Sequence, residues 1–489
     1  MINKFYIIII IIIIIILIII KVHYYFKIIE EYNTIYVETD STQGKYGITC
    51  QKCNRCNSNQ FVLTLCTPTT NRTCATTLIK GYGWGEYWQL GDSPETPWSK
   101  FTDTLVNVNV VNFQDEIKQI TCDSLYSSVF LTKDGKVFRC GYDKDRDLGM
   151  GTEQGYKYEI PHIFSNLKNI IITKISSGKN HTIFLTDSKT VYGLCGNSWK
   201  NWGQSGTNNN NYDSEPTLID NINDVFDIAC GDRHSLFLRS DGTVWGCGNA
   251  QSLGEGGSNS EGSLIPVELT HAKTKNVTKF AAGGGFSIVL RNDGTVWGWG
   301  RNDFGQLGSG PCDYQCGEAW KIEKMDLGIL SIKSSITDIC CGWGHTLLLI
   351  NNGDVYGCGA NNSGQLGMSM GEGVWNEEDY QMEYERKRVF NINYITGNVK
   401  KISACNENST FLKKNGDVYA SGYPAEIAPG LTDSVTREVK KCNISNVSDL
   451  FTGYARSFYI FKKGDNFKGV SGKSGSTPVG GLVPYLTRI

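Results

Sequence analysis

The sequence predicts an all-β fold assembled from repeated hairpins, and three observations carry that expectation. The first is a strand-and-loop motif, VWGWGRNDFGQLG, running from Val296 to Gly308. Near-copies begin at Ile79 (IKGYGWGEYWQLG), Val137 (VFRCGYDKDRDLG) and Val355 (VYGCGANNSGQLG), and looser ones at Val191, Val244 and Val418. Successive starts lie 58, 54, 53, 52, 59 and 63 residues apart. A period of roughly 50 in strand-type sequence marks a propeller or a solenoid rather than independent domains.

The second observation is a paired element before each later copy: ISSGKNHTIFLTDSKTV, IACGDRHSLFLRSDGTV, FAAGGGFSIVLRNDGTV, ICCGWGHTLLLINNGDV and ISACNENSTFLKKNGDV. Each reads as an apolar strand, a turn at Asp-Gly, Asn-Gly or a degenerate equivalent, and a second apolar strand. Such a dipeptide between apolar runs predicts a hairpin with a type I′ turn, which needs φ > 0. The glycines of VxGxG fit a strand whose backbone a neighbouring strand approaches closely. The third observation is composition. Helical periodicity is nearly absent, and 55 Gly with 11% aromatic residues suit many short strands joined by tight turns.

The two motifs recur together in fixed order over residues 78–472 and resemble the regulator of chromosome condensation repeat. The resemblance implies a seven-bladed β-propeller, here over residues 78–489. A partial eighth copy at Phe467–Gly472 (FKGVSG) gives seven intervals between eight strands. The two ends of the array are therefore expected to complete one blade. That shuts the ring and removes the exposed strand edges of an open array.

Ahead of the repeats, residues 5–20 (FYIIIIIIIIIILIII) are apolar throughout, with Lys4 before and Lys21 after. A basic flank and an apolar run of this length fit a signal peptide over residues 1–21. The run also approaches the length of an uncleaved membrane anchor, and a buried or accidental apolar run is the third reading. The following KVHYYFK is bulky and basic and offers no small-residue cleavage site. Either of the first two readings sends the remainder into the secretory pathway, secreted or held in a membrane by residues 5–20. Residues 22–45 read as a stalk. Seven sequons, at Asn71, Asn180, Asn276, Asn361, Asn408, Asn443 and Asn446, agree with that route as glycosylation candidates. A chain rich in Asn and Ser also generates such triplets by chance.

Residues 46–76 hold Cys50, Cys53, Cys56, Cys66 and Cys74. Cys-x-x-Cys spacing ligates zinc in some settings and frames disulfides in an oxidising compartment, with reduced thiols as a third state. The segment resembles half of a tumour-necrosis-factor-receptor-type cysteine-rich module, which also runs CxxCxxC, then Cys, then Asn-Arg-x-Cys. That module's first cysteine is not matched here, so the resemblance implies disulfides with one thiol left over. Cys312 and Cys316, in an insertion between repeats, are candidates for a local disulfide. Cys140, Cys247 and Cys358, like Cys122, Cys230 and Cys341, recur at matching repeat positions and read as small apolar fillers.

No catalytic arrangement emerges. His181, His234 and His345 share one repeat position, as three imidazoles gathering around an axial metal would. The other repeats put Tyr126, Phe286, Asn408 and Arg456 there, so the position accepts a flat ring and reads as structural. The runs GGGF (283–286) and GKSG (472–475) lack the Walker pattern. Asp134, Asp241 and Asp293 precede turn glycines and read as conformational residues. Neither metal nor cofactor is expected, and the chain reads as a non-enzyme. A formal net charge of −2 offers no broad basic surface, which argues against nucleic acid as a partner.

Function is therefore expected on loops, which vary without unfolding the ring. Two insertions stand out: 309–335 with Trp320, and 368–394 with Trp375, Tyr380, Tyr384, Arg386 and Arg388 beside an acidic cluster. Aromatic residues mixed with charge suit protein contact, while a solvated loop is the bland alternative. The expected function is a non-catalytic scaffold of the secretory pathway or cell surface that binds a protein partner through propeller loops. An extracellular enzyme inhibitor would present the same features. The resemblance implies one alternative, guanine-nucleotide exchange on a Ran-like small GTPase, which requires no nucleophile.

Overall fold

The computed structural model describes residues 61–462 apart from 65–72, 76, 84–88, 92–101, 109–115, 124–126, 144–155, 196–201, 210–212, 214, 255–261, 271–274, 309–322, 326–335, 368–373, 377–380, 384–389, 392–397, 424–427, 432–435 and 454–455. Within it, the propeller unit runs from Ile79 to Phe461. Seven four-stranded sheets make the blades. Blade 1 is Ile117–Asp123, Ser127–Thr132, Val137–Asp143 and Tyr156–Ile163; blade 2 is Ile172–Ser177, His181–Thr186, Val191–Cys195 and Thr217–Ile219. Blade 3 is Val225–Cys230, His234–Arg239, Val244–Gly248 and Ser263–Glu268; blade 4 is Val277–Ala282, Phe286–Arg291, Val296–Gly300 and Glu323–Lys324. Blade 5 is Ile336–Cys341, His345–Ile350, Val355–Gly359 and Phe390–Asn391; blade 6 is Val399–Cys405, Asn408–Lys413, Val418–Gly422 and Thr436–Lys441. Blade 7 joins Asp449–Gly453 and Arg456–Lys462 to the early strands Thr77–Gly83 and Thr102–Asn107.

The first strand of each blade touches the first strands of both neighbours, and blade 7 touches blade 1, so the ring is shut. The array ends do complete one blade. The strand that closes it is Thr77–Gly83, which occupies the third place of blade 7 beside Arg456–Lys462. The partial copy at 467–472 lies outside the described residues, and the place its motif would fill is already taken.

Burial explains the strand sequences. The second strand lies inside its sheet and between two neighbouring sheets, so SSVFLT (127–132), HTIFLT (181–186) and HTLLLI (345–350) are buried at every residue. A strand covered on both faces has no reason to alternate. The innermost strand buries two residues three apart, such as Val225 and Ile228, because its ladder slips between Val225 and Asp227. The same slip follows Ile117, Val277, Ile336 and Val399.

Two sequence expectations need correction. The hairpin glycines have φ > 0, as Gly242 does at 80°, but the preceding Asp241 does not. The Gly242 amide bonds the Arg239 carbonyl and the Arg239 amide bonds the Thr243 carbonyl. That is a type I turn followed by a left-handed glycine, not type I′. Asp241 instead accepts from the Thr243 amide and hydroxyl, and Asp293 does the same with Thr295. The second correction concerns the first glycine of VxGxG. The second glycines, Gly248, Gly300 and Gly359, meet the backbone of the neighbouring strand as expected, with the Arg233, Gly285 and Gly344 carbonyl oxygens 2.4–2.5 Å from where a Cβ would stand. At the first glycines, Gly246, Gly298 and Gly357, the loop leucines Leu253, Leu307 and Leu366 come within 2.5–2.8 Å, joined at Gly298 by Ile288 at 2.7 Å.

The core consists of the seams between blades. Ile183, Leu185 and Val191 of blade 2 pack on Val225, Ile228 and Phe237 of blade 3. At the closing seam Ile79, Leu90, Phe458 and Ile460 meet Ile117, Ile120, Phe130 and Phe138. Cys140, Cys247 and Cys358 lie in these layers. Burial pushes the Cys230 thiol up to about 11 and the Cys341 thiol up to about 12, so both stay protonated.

A ring of polar residues lines up on the innermost strands. Ladder register makes Gln119, Lys174, Asp227, Lys279, Asp338, Lys401 and Asp449 equivalent. Opposite charges cannot alternate around an odd number of places, and the neutral Gln119 takes the seventh. Each lysine reaches forward one blade. Lys174 pairs with Asp227, Lys279 with Asp338 at 3.6 Å, and Lys401 with Asp449 at 2.6 Å. Gln119 ties blade 1 to blade 2 by donating to the Ile175 carbonyl and accepting from its amide. Lys401 also sits 3.8 Å over the Phe451 ring. Because these pairs are about one-third exposed, Lys401→Ala is expected to lower stability by about 1 kcal/mol, read from the urea midpoint.

Outside the blades, Phe61–Thr64 and Thr73–Ala75 form a two-stranded ladder that places Cys74 opposite Val62. Val374–Asn376 and Gln381–Glu383 form another within the second insertion. No helix among the described residues is long and apolar enough to cross a membrane; residues 5–20 lie outside them.

Candidate docking face

The three histidines do not converge. Each reaches from the start of its second strand to the next blade. His181 Nε2 lies 3.0 Å from Ser235 Oγ, His234 Nε2 lies 2.9 Å from Ser287 Oγ, and His345 Nε2 lies 2.9 Å from Ser409 Oγ. Each serine hydroxyl already donates to a carbonyl, of Gln204, Ser252 and Gln365 respectively. One hydroxyl has one proton, so it accepts from the ring, which fixes the Nε2–H tautomer. Burial pushes the three imidazoles down to about 4, 3 and 4, so they are neutral at pH 7. Among the described residues no group of three His, Cys, Asp or Glu is placed to hold a metal.

Register also corrects the repeat alignment in blade 1. Ser127 faces Gly141 as His234 faces Gly248, so the equivalent residue is Ser127, not Tyr126; one extra residue precedes the strand. Blade 7 places Arg456 at this position, and its Nε donates to Ser128 Oγ at 3.0 Å. Histidine, lysine, glutamine or arginine ties thus cover all seven seams: 1–2 by Gln119, 2–3 by Lys174 and His181, and 3–4 by His234. Seams 4–5, 5–6, 6–7 and 7–1 are tied by Lys279, His345, Lys401 and Arg456.

Among the described residues, the loops just before the second strands of blades 2–6, with those leaving the third strands of blades 3–5, form one face of the ring. Arg301, which follows the third strand of blade 4, hydrogen-bonds its amide to the Gly285 carbonyl. Its guanidinium lies 4.7 Å from the Trp343 ring and 5.3 Å from the Phe304 ring, and the two rings are 5.4 Å apart. Arg301 Nε donates to Asp303 at 2.5 Å. Its Nη groups have no hydrogen-bond partner among the described residues, so a flat fork of donors is held against the rings on a side chain that is 36% exposed. Gly284 makes the room: a Cβ there would stand 2.3 Å from the Trp343 carbonyl oxygen and 2.6 Å from its Cδ1.

Beside this cluster, Lys179 and Arg233 are exposed, and their side chains have no hydrogen-bond partner among the described residues. Burial raises the Asp232 carboxyl pKa, while the charges of Lys179, Arg233 and Arg301 pull it back. Aromatic rings, a pre-positioned guanidinium and two further cations are the ingredients of a protein-binding hot spot for acidic side chains. They offer no nucleophile.

The residues singled out by sequence fall elsewhere. Trp375 is in the separate two-stranded ladder of the second insertion. Trp320, Tyr380, Tyr384, Arg386, Arg388, Cys50, Cys53, Cys56, Cys66, Cys312, Cys316 and Asn71 lie outside the described residues. Among the sequons, Asn276 and Asn443 are exposed, while Asn180, Asn361 and Asn446 are half-buried. Asn408 is 1% exposed at the start of a buried strand, which removes it from the acceptors a folded chain presents. Arg301 and Trp343 escaped sequence reading because they look like repeat noise. The legible signal was the loop pairs Lys179-Asn180, Asp232-Arg233, Gly284-Gly285, Trp343-Gly344 and Asn406-Glu407, which differ in every repeat between similar flanks.

Seven four-stranded blades, closed by strands from both ends, define the class: a closed β-propeller. The chain belongs to the RCC1-like domain family, whose model matches residues 79–465. It is 26% identical over 300 residues to the ultraviolet-B receptor UVR8 of Arabidopsis thaliana, covering 60% of this chain and 63% of that protein. It is 32% identical over 245 residues to the E3 ubiquitin-protein ligase HERC2 of Homo sapiens, covering 48% of this chain and 5% of that one. The chain thus spans less than two thirds of the length of these curated relatives. Among solved structures, Prp20p of Saccharomyces cerevisiae superposes with a TM-score of 0.66 at 19% identity, covering 83% of this chain and 94% of that one. Human WBSCR16 superposes with a TM-score of 0.63 at 18% identity, covering 80% and 100%. These likenesses show the fold.

Proposed function

We propose that this protein is a non-catalytic interaction propeller that docks a protein partner on the face carrying Arg301, Phe304 and Trp343. The observation that carries the reading is the Arg301 guanidinium, stacked against two rings with its Nη donors unengaged. It suits an acidic side chain flanked by apolar surface on the partner, with Lys179 and Arg233 adding long-range attraction. Residues 5–20 and the sequons support placement in the secretory pathway, where the cysteine-rich segment would be disulfide-bonded.

Proximity labelling of the tagged full chain in its own cell tests this. A set of secretory or surface proteins is expected, and Arg301→Glu should deplete it at least tenfold while leaving the thermal midpoint unchanged. An undiminished set with Arg301→Glu would remove the face from the reading; a cytosolic or nuclear set would remove the compartment. Prp20p is described with its binding to Gsp1p and histones, which keeps nucleotide exchange as the alternative. Nucleotide release from a GDP-loaded small GTPase should be unchanged by the purified protein, and acceleration would favour exchange instead.

A further inference from the structure

We infer that the docking face is acid-labile: His181, His234 and His345 take up a second proton only when seams 2–3, 3–4 and 5–6, directly beneath its loops, open, so acid favours the opened seams. The inference rests on the proposed docking role only for what the loosening would release.

The geometry leaves a second proton nowhere to go. Each Nε2–H is committed to a serine, and each serine to a carbonyl. His234 Nδ1 and His345 Nδ1 are buried without a partner among the described residues. They lie against Gly231 and Gly342, where a Cβ would stand 2.7 and 2.6 Å from them. A proton placed there would have no acceptor among the described residues. His181 is the milder case, since its Nδ1 lies 3.4 Å from the Lys179 carbonyl.

The direction of the effect follows. Burial depresses His181 and His345 to about 4, and burial with the neighbouring His181 depresses His234 to about 3. An opened seam exposes imidazoles near the ordinary value of about 6.5. The neutral ties are therefore fully effective above that value. Below it, opening is favoured about tenfold per pH unit per histidine, until pH reaches the depressed values. Titratable neighbours around His181 and His234 are Lys179, Asp232, Arg233 and Cys230; around His345 they are Cys341, Cys405 and Glu407. Asp232, its carboxyl pKa raised by burial, works the other way by taking up a proton in the closed state.

The chain contains its own comparison. Blade 4 has Phe286 at the histidine position, but its Ser287 accepts from His234; blade 1 has Ser127 there, and Gln119 and Arg456 tie both its seams without a histidine. The consequence reaches the docking cluster, because the Trp343 amide bonds the Asn406 carbonyl at 2.8 Å across the seam that His345 ties.

Amide hydrogen exchange on the full chain at pH 7.5 and pH 5.5, corrected for intrinsic rates, tests the inference. Protection of 181–186, 234–239 and 345–350 should fall about tenfold at the lower pH, while 127–132, which no histidine ties, stays protected. The combined His181→Phe, His234→Phe and His345→Phe variant borrows the residue used in blade 4 and should lose the pH response. Should it fail to fold, His345→Phe alone should abolish the response in 345–350 only. An equal response in wild type and variant, or one that includes 127–132, would overturn the inference. Loss of partner labelling that Arg301→Glu does not reproduce would sink the docking reading and leave the acid response standing.

Discussion

Arg456→Ala should lower stability by about 3–5 kcal/mol and open the ring between blades 7 and 1 before any other seam. Arg456 is fully buried, donates from Nε to Ser128 Oγ and from Nη2 to the Ser127 carbonyl, and ties residues 328 positions apart in sequence. Ser128 in turn donates to the Gln89 carbonyl at 2.6 Å, so the relay seen at the histidines is repeated at the closure with a charged donor. Arg139, also buried, donates to Ser127 Oγ at 2.7 Å and packs the same junction. Truncating Arg456 takes away the donors that hold these groups and leaves a hole at the seam whose closure demands the most chain entropy. Urea unfolding should show the loss, and protease nicking should begin in 456–462. Arg456→His should recover part of it by restoring the Nε2-to-serine tie of the other blades. A loss below about 1 kcal/mol would mean that the apolar packing of Phe458 and Ile460 closes the ring alone.

Gly178→Ala should cost about 3 kcal/mol or more, although the added methyl is small. Gly178 ends the first strand of blade 2, where a Cβ would stand 1.9 Å from the Gly231 carbonyl oxygen and 2.2 Å from His181 Cε1. The first obstacle is the backbone of blade 3 and the second a buried ring tied to Ser235, so neither gives way without separating the blades. Gly305→Ala is the control. Nothing lies within 4 Å of its Cβ position and its φ is 77°, so only left-handed strain of about 1–2 kcal/mol is expected. Thermal unfolding of the two variants checks the contrast; equal losses would show that seam 2–3 yields more than its ties imply.

Much of the fold was legible because its causes are local. The apolar run HTLLLI announces a strand covered on both faces, and NNGD announces a turn. The turn type was misread because Asp-Gly alone does not distinguish two adjacent left-handed residues from a type I turn followed by one. Only the ladder, with Arg239 amide to Thr243 carbonyl, decides. The shift from Tyr126 to Ser127 has the same origin: a one-residue insertion is invisible until pairing anchors the strand on Gly141.

By itself the sequence determined the repeat and the ring's need to shut, which follow from short-range pattern and period, while the count of seven came with the family that the repeat resembles. The tertiary structure decided which groups meet across the seams. Blade contacts join residues about 50 positions apart, and the closing one joins residues more than 300 apart. Whether His234 finds a serine, Lys401 an aspartate or Arg301 a tryptophan depends on how two separately formed sheets are set against each other, a geometry that no run of neighbouring residues encodes.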